Sequence, residues 1–153
     1  MLICAQIINP YIMKKIFYTI VLMFIGIFVY AQSADVIVGT YLKADGKSKV
    51  EFYKTGNTYC AKVVWLKEPN DSEGKPKKDP KNPDKSLRDR PLLGMVTITG
   101  LKYEGEGKYG DGKAYRPAEG DEVKFKVKVN GDGTISVTGS KYGFSKTETW
   151  KKE

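Results

Sequence analysis

The sequence predicts an all-β domain, an eight-stranded antiparallel up-and-down barrel with one long proline-rich loop. Three observations carry that prediction. Apolar residues recur at every second position in short runs, turn dipeptides separate most of the runs, and no stretch beyond residue 31 holds an apolar period of 3.6. Closing eight strands on themselves removes the exposed edges of an open sheet. The nearest competing architecture is a two-layer sandwich.

The first expected strand is Val36 to Leu42, and Asp45-Gly46 then turns the chain into Val50 to Tyr53. Thr55-Gly56-Asn57 leads to Tyr59 to Leu66, where alternation puts Tyr59, Ala61, Val63 and Trp65 on one face and Cys60, Val64 and Leu66 on the other. Gly94 to Tyr103 and Lys113 to Arg116 follow the central loop. The clearest alternation comes next, with Val123, Phe125, Val127 and Val129 interleaved with Lys124, Lys126 and Lys128. Asn130-Gly131-Asp132-Gly133 then makes a hairpin with Thr134 to Gly139, and Phe144 to Trp150 is the eighth strand.

The segment ahead of the strands reads as a leader. Met13-Lys14-Lys15 is a basic start, Ile16 to Val29 is an apolar run, and Ala31 is a small residue at a cleavage boundary, the three-part layout of a secretory signal. Ile16 to Ala31 falls short of the roughly 20 residues that span a bilayer core, so the expectation is cleavage and not an integral membrane anchor. Residues 1–31 are therefore assigned to an N-terminal extension plus signal peptide and residues 32–153 to a single barrel domain, exported to the periplasm or secreted. Cys4 would leave with the leader, and Cys60 would remain as a lone thiol expected to serve as a small buried apolar residue.

Composition narrows the chemistry. The chain contains no histidine, which removes Ser-His-Asp and Cys-His nucleophile pairs as well as His-ligated metals. No cofactor is implied. Paired carboxylates are the remaining catalytic device, with Asp84, Asp89, Glu119, Asp121 and Glu122 as candidates for a glycan hydrolase, but most sit in turns where carboxylates are ordinarily solvated. The net charge of +8 includes Lys14 and Lys15 of the leader. The lysines of the barrel alternate with core positions as a solvated face does, so a nucleic acid partner is not expected. A diffuse positive field suits envelope glycans or anionic lipids better.

One connection breaks the strand pattern. Residues 67–90 show no periodicity and carry Pro69, Pro76, Pro80 and Pro83, with Pro91 just beyond. Structureless connections of that length tend to be functional or disordered. Glu68 to Lys81 is poor in apolar residues and is expected to be mobile. Asn82 to Gly94 mixes Leu anchors, arginines and prolines, as an ordered segment across a barrel mouth would. Two roles stand level for it: a structural crossover whose arginines pair with nearby aspartates, or a ligand-binding cap.

That loop carries a resemblance. Asn82-Pro83-Asp84, Leu87-Arg88 and Arg90-Pro91-Leu92-Leu93-Gly94 resemble the signature of the bacterial family catalogued as domain of unknown function 2147. Gly39-Thr40-Tyr41, Val63-Val64-Trp65-Leu66, Gly112 to Pro117, Gly120 and Thr149-Trp150 fit the surrounding pattern. Tyr41 stands where Trp is usual and Cys60 where Gly is common. The resemblance implies an exported, lipocalin-like or calycin-like barrel and carries no activity or catalytic residues with it.

The leading expectation is a non-enzymatic barrel that binds a small, partly apolar or anionic ligand. Trp65, Phe52 and Phe125 would line the interior. Arg88 and Arg90, with Asn82 and Tyr115 near them, would meet a carboxylate or phosphate at the mouth. The competing expectation is an envelope interaction module whose barrel is filled by its own side chains and takes no ligand.

Overall fold

The structure, a computed structural model, describes residues 33–153. The leader assigned to residues 1–31 lies outside the described residues. Eight antiparallel strands close into a barrel in simple sequential order: β1 (Gly39–Leu42), β2 (Ser48–Thr55), β3 (Thr58–Leu66), β4 (Val96–Gly105), β5 (Lys108–Arg116), β6 (Asp121–Val129), β7 (Thr134–Lys141) and β8 (Phe144–Lys152). No helix among the described residues is long and apolar enough to cross a membrane.

All eight expected strands are present with shifted ends, and the two largest shifts, at the starts of the first and fifth strands, have physical reasons. The first strand starts at Gly39 instead of Val36, because Gly39 adopts φ +138, a backbone angle other residues rarely take. Ser33 to Val38 instead folds across the end of the barrel, with Ile37 fully buried. The fifth strand begins at Lys108, five residues earlier than expected. Its alternation is interrupted by a register shift between Tyr109 and Gly112, where Asp111 takes φ +58, so the pattern is hidden in the sequence.

The inward faces form one continuous core. Val50, Phe52, Tyr59, Ala61, Ile98, Leu101, Tyr109, Val127 and Ile135 are all essentially inaccessible. Aromatic edges organise the N-terminal end of this core: Tyr59 and Tyr109 pack at 84° with centroids 5.2 Å apart, and Tyr41 meets Phe52 at 88° and 5.6 Å. The same end is sealed by the Ser33 to Val38 segment. The Tyr109 hydroxyl donates to the Ala34 carbonyl at 2.7 Å and accepts from the Ile37 amide at 3.2 Å, while Asp35 accepts from the Tyr59 hydroxyl and pairs with Lys54.

The wall is uneven. β2 and β3 share eight register pairs, whereas β1 meets β8 at two, Tyr41 with Lys152 and Leu42 with Lys151. The first part of β8 therefore rises past the end of β1 with a strand neighbour on one side only.

Candidate functional site

Antiparallel order places the β1–β2, β5–β6 and β7–β8 turns and the whole β3–β4 connection at one end of the barrel, opposite the sealed end. That end is open. It leads into a cavity of about 550 Å³, within the range that ordinarily accommodates a small ligand. Ile98, Ala114, Val123, Phe125, Val137, Gly139 and Trp150 give it apolar walls, and Lys43, Arg116, Lys141, Lys146 and Glu148 supply charge.

The strand period explains the mixture. Trp150 faces inward at the core, so Glu148, Lys146 and Phe144 follow it on the same face toward the mouth, progressively more exposed. Phe52 and Phe125 both pack against Trp150, at centroid distances of 6.5 and 6.0 Å, and form an aromatic base. Two small residues keep the space empty, Ala114 on β5 and Gly139 on β7.

Most charges at the mouth are neutralised locally. Arg116 donates two hydrogen bonds to the Asp121 carboxylate, at 2.9 and 2.8 Å, and Lys141 binds the same carboxylate. These two cations hold the Asp121 carboxyl below the usual carboxylate range. Lys146 pairs with Glu148 at 2.8 Å, and the Trp150 indole N–H donates to Glu148 at 3.4 Å. Lys43 is different. Its ammonium lies 5.5 Å from the centroid of the Trp150 ring and has no ion pair within 4 Å among the described residues. Burial lowers its pKa, and the more distant Asp45 and Glu148 oppose that shift. Thr97 also lines the cavity, and its hydroxyl is buried without a hydrogen-bond partner.

The long connection closes one side of this end around a second cluster. Asp79 is fully buried and accepts hydrogen bonds from the Asn82 amide at 2.8 Å, the Tyr115 hydroxyl at 2.8 Å and the Arg90 guanidinium at 3.2 Å. Arg88 donates to the Asn82 carbonyl at 2.8 Å, and the Arg90 guanidinium stands over the Tyr115 ring at 5.6 Å. Burial, and then the Asp79 hydrogen bond, raise the pKa of the Tyr115 hydroxyl. Where the loop crosses the β5–β6 turn, Lys81 donates to the Ala118 carbonyl at 2.7 Å. Gly120, at φ +73, leaves no room for a side chain: a Cβ there would lie 2.1 Å from the Lys81 carbonyl oxygen.

Seven residues were expected to bind ligand, and the structure separates them into three groups. Phe125 lines the cavity, and Phe52 supports it from beneath Trp150. Asn82, Arg88, Arg90 and Tyr115 do come together, but around Asp79, as the loop's attachment to the barrel; of these only Tyr115 also lines the cavity. Trp65 is not interior. A register shift between Lys49 and Val50, opposite Val63 and Trp65, reverses the alternation at the end of β3. Leu66 then packs against the core, while Trp65 is 39% exposed beneath Lys49. Cys60 is half-buried on the outer face of β3, not a core residue.

The stretch 68–81 also departs from its composition. Asn70 bridges Pro76 and Lys78 bridges Pro91, so the segment is a small hydrogen-bonded hairpin with a defined path. The carboxylates weighed for catalysis serve as caps and ion pairs. Asp84 caps the short 3-10 turn Lys85–Leu87, Asp89 pairs with Lys78, and Glu122 stands 3.7 Å from Lys113. Asp84, Asp89 and Asp121 are all held below the usual carboxylate range, the opposite of what a general acid at neutral pH requires.

Comparison with known proteins agrees with this geometry. Residues 39–152 match the family described as uncharacterized protein conserved in bacteria (DUF2147). The structure is similar to that of a protein from the human pathogen Helicobacter pylori described as belonging to the lipocalin family. The two are 30% identical with a TM-score of 0.67, over 76% of this chain and 82% of that one. No curated protein matches the chain.

Proposed function

We propose that this chain, which belongs to the bacterial family DUF2147, is a non-enzymatic barrel that binds a small, partly apolar ligand in the open end of its lipocalin-like fold. The observation that carries this reading is the cavity itself. Its aromatic base of Phe125 and Trp150 remains open to the mouth, where a filled core would place another large side chain. Thr97 adds a buried hydroxyl for which the protein supplies no partner.

The loop has a positioning role in this reading. Asp79, Asn82, Arg90 and Tyr115 anchor it beside the mouth and thereby shape the rim, and Tyr115 also contributes to the cavity wall. The basic and apolar pattern of residues 13–31 supports delivery of the barrel across the inner membrane, so that the ligand would be one found in the envelope or beyond it.

Native mass spectrometry of protein purified from its own cell envelope tests the proposal. A reproducible small mass released on denaturation is expected, together with loss of that guest when Gly139→Leu fills the cavity. A bare polypeptide mass, with no uptake of any compound from an envelope extract, would overturn it.

A further inference from the structure

We infer that the ligand is an organic monoanion whose charged group sits at Lys43 and whose apolar body lies against Phe125 and Val137. This inference rests on the cavity being a ligand site, and it names the class of ligand that the site takes.

The argument begins with the charges around the cavity. Arg116 and Lys141 share Asp121, and Lys146 holds Glu148, so each of these cations already has a carboxylate against it. Asp45 accepts from the Lys47 amide at 2.9 Å and stabilises its own turn. Lys43 alone among the described cavity cations lacks a carboxylate within 4 Å, and its neighbour is the face of Trp150. A cation–π contact compensates an ammonium less fully than a carboxylate or sulfonate in a water-poor site.

Burial lowers the pKa of Lys43, and Asp45 and Glu148 oppose that shift only from a distance, so the ammonium lacks a negative group in direct contact. An incoming anion supplies it.

The same geometry sets the number of charges at one. Glu148 lies on the inner face one alternation step from Trp150, and its Coulombic influence already reaches Lys43. A second negative charge on the guest would face that carboxylate with no free cation to answer it. The walls beyond Lys43 are Phe125, Val137 and Ala114, which reward an apolar body. Phe144, at the rim and 83% exposed, is placed to cover that body's outer end.

Isothermal titration with naphthoate and naphthalenemethanol, which share a ring system and differ in charge, tests the inference. Wild-type protein is expected to bind naphthoate about tenfold more tightly than the alcohol, as one charge-assisted contact in a shielded site implies. Lys43→Met should abolish that preference, and Lys43→Arg should retain it. Should Lys43→Met fail to fold, Lys43→Gln makes the same test.

Equal binding of the two compounds, or a preference for naphthoate that survives in Lys43→Met, would overturn the anion assignment and leave the cavity reading standing. Absence of binding by both compounds and by every envelope-extract component would overturn the cavity reading, and this inference with it.

Discussion

The Tyr115 hydroxyl donates to the fully buried carboxylate of Asp79 at 2.8 Å, across a gap of 36 residues in the chain. That bond joins the long β3–β4 connection to the barrel wall. Tyr115→Phe should destabilise the protein by about 1.5–3 kcal/mol, the range for a hydrogen bond to a charged group. Asp79→Ala should cost more than Tyr115→Phe, because it removes the acceptor shared by the Asn82 amide, the Tyr115 hydroxyl and the half-buried Arg90 guanidinium. Urea unfolding of both variants measures the difference, and equal losses would contradict the central place of Asp79.

Gly139→Leu should remove ligand binding without removing the fold. A Cβ at this position meets Val123 at an ordinary 3.5 Å, and the rest of the leucine has the cavity to occupy. Thermal stability unchanged or slightly raised, with binding lost, is the expected pair of results.

Gly120→Ala should loosen the long loop. It combines a left-handed backbone angle with a clash against the Lys81 carbonyl, so the crossing segment must move. Limited proteolysis should cut residues 67–95 markedly faster in the variant, whereas the β6–β7 hairpin should stay as resistant as before.

The two tryptophans give a direct readout. Trp65 is on the outside and Trp150 is in the cavity, so a ligand should change the emission of Trp65→Phe protein as strongly as that of wild type. A signal that vanished in this variant would place the guest on the outer face of β3.

Acid should weaken the barrel by a predictable route. Lys54 and Tyr59 at the sealed end lower the pKa of Asp35, and Arg116 and Lys141 at the mouth lower that of Asp121. Both contributions are therefore fully present above the unfolded carboxylate pKa and disappear as pH falls through the lower folded values. The thermal midpoint should hold from neutral pH to roughly pH 4–5 and decline below it. Asp121→Asn should flatten part of that decline.

The barrel was legible wherever side-chain alternation ran without interruption. Val123 to Val129 and its hairpin partner could be read directly, because every second residue is apolar and the turn residues stand where the strands end. Trp65 was misplaced by the same rule, since the bulge at Val64 leaves no mark in the apolar run Val63-Val64-Trp65. Asp79 was invisible for another reason. It sits among Lys77, Lys78 and Lys81, and only the folded loop brings Asn82, Arg90 and Tyr115 to it. The suggestion that the loop's arginines pair with aspartates came closest. Lys43 did carry a signal: two residues after Tyr41, it falls on the inner face, and a lysine there marks a position where the barrel is open.

The short seam between β1 and β8 has a consequence for how the molecule breathes. Two register pairs join the chain's opposite ends there, while every other neighbouring pair of strands holds three or more. Separation at this seam would give up little pairing, so hydrogen exchange is expected to reach the amides of Tyr41 and Leu42 before those of β6 and β7. The same seam lies alongside Lys43 and Trp150.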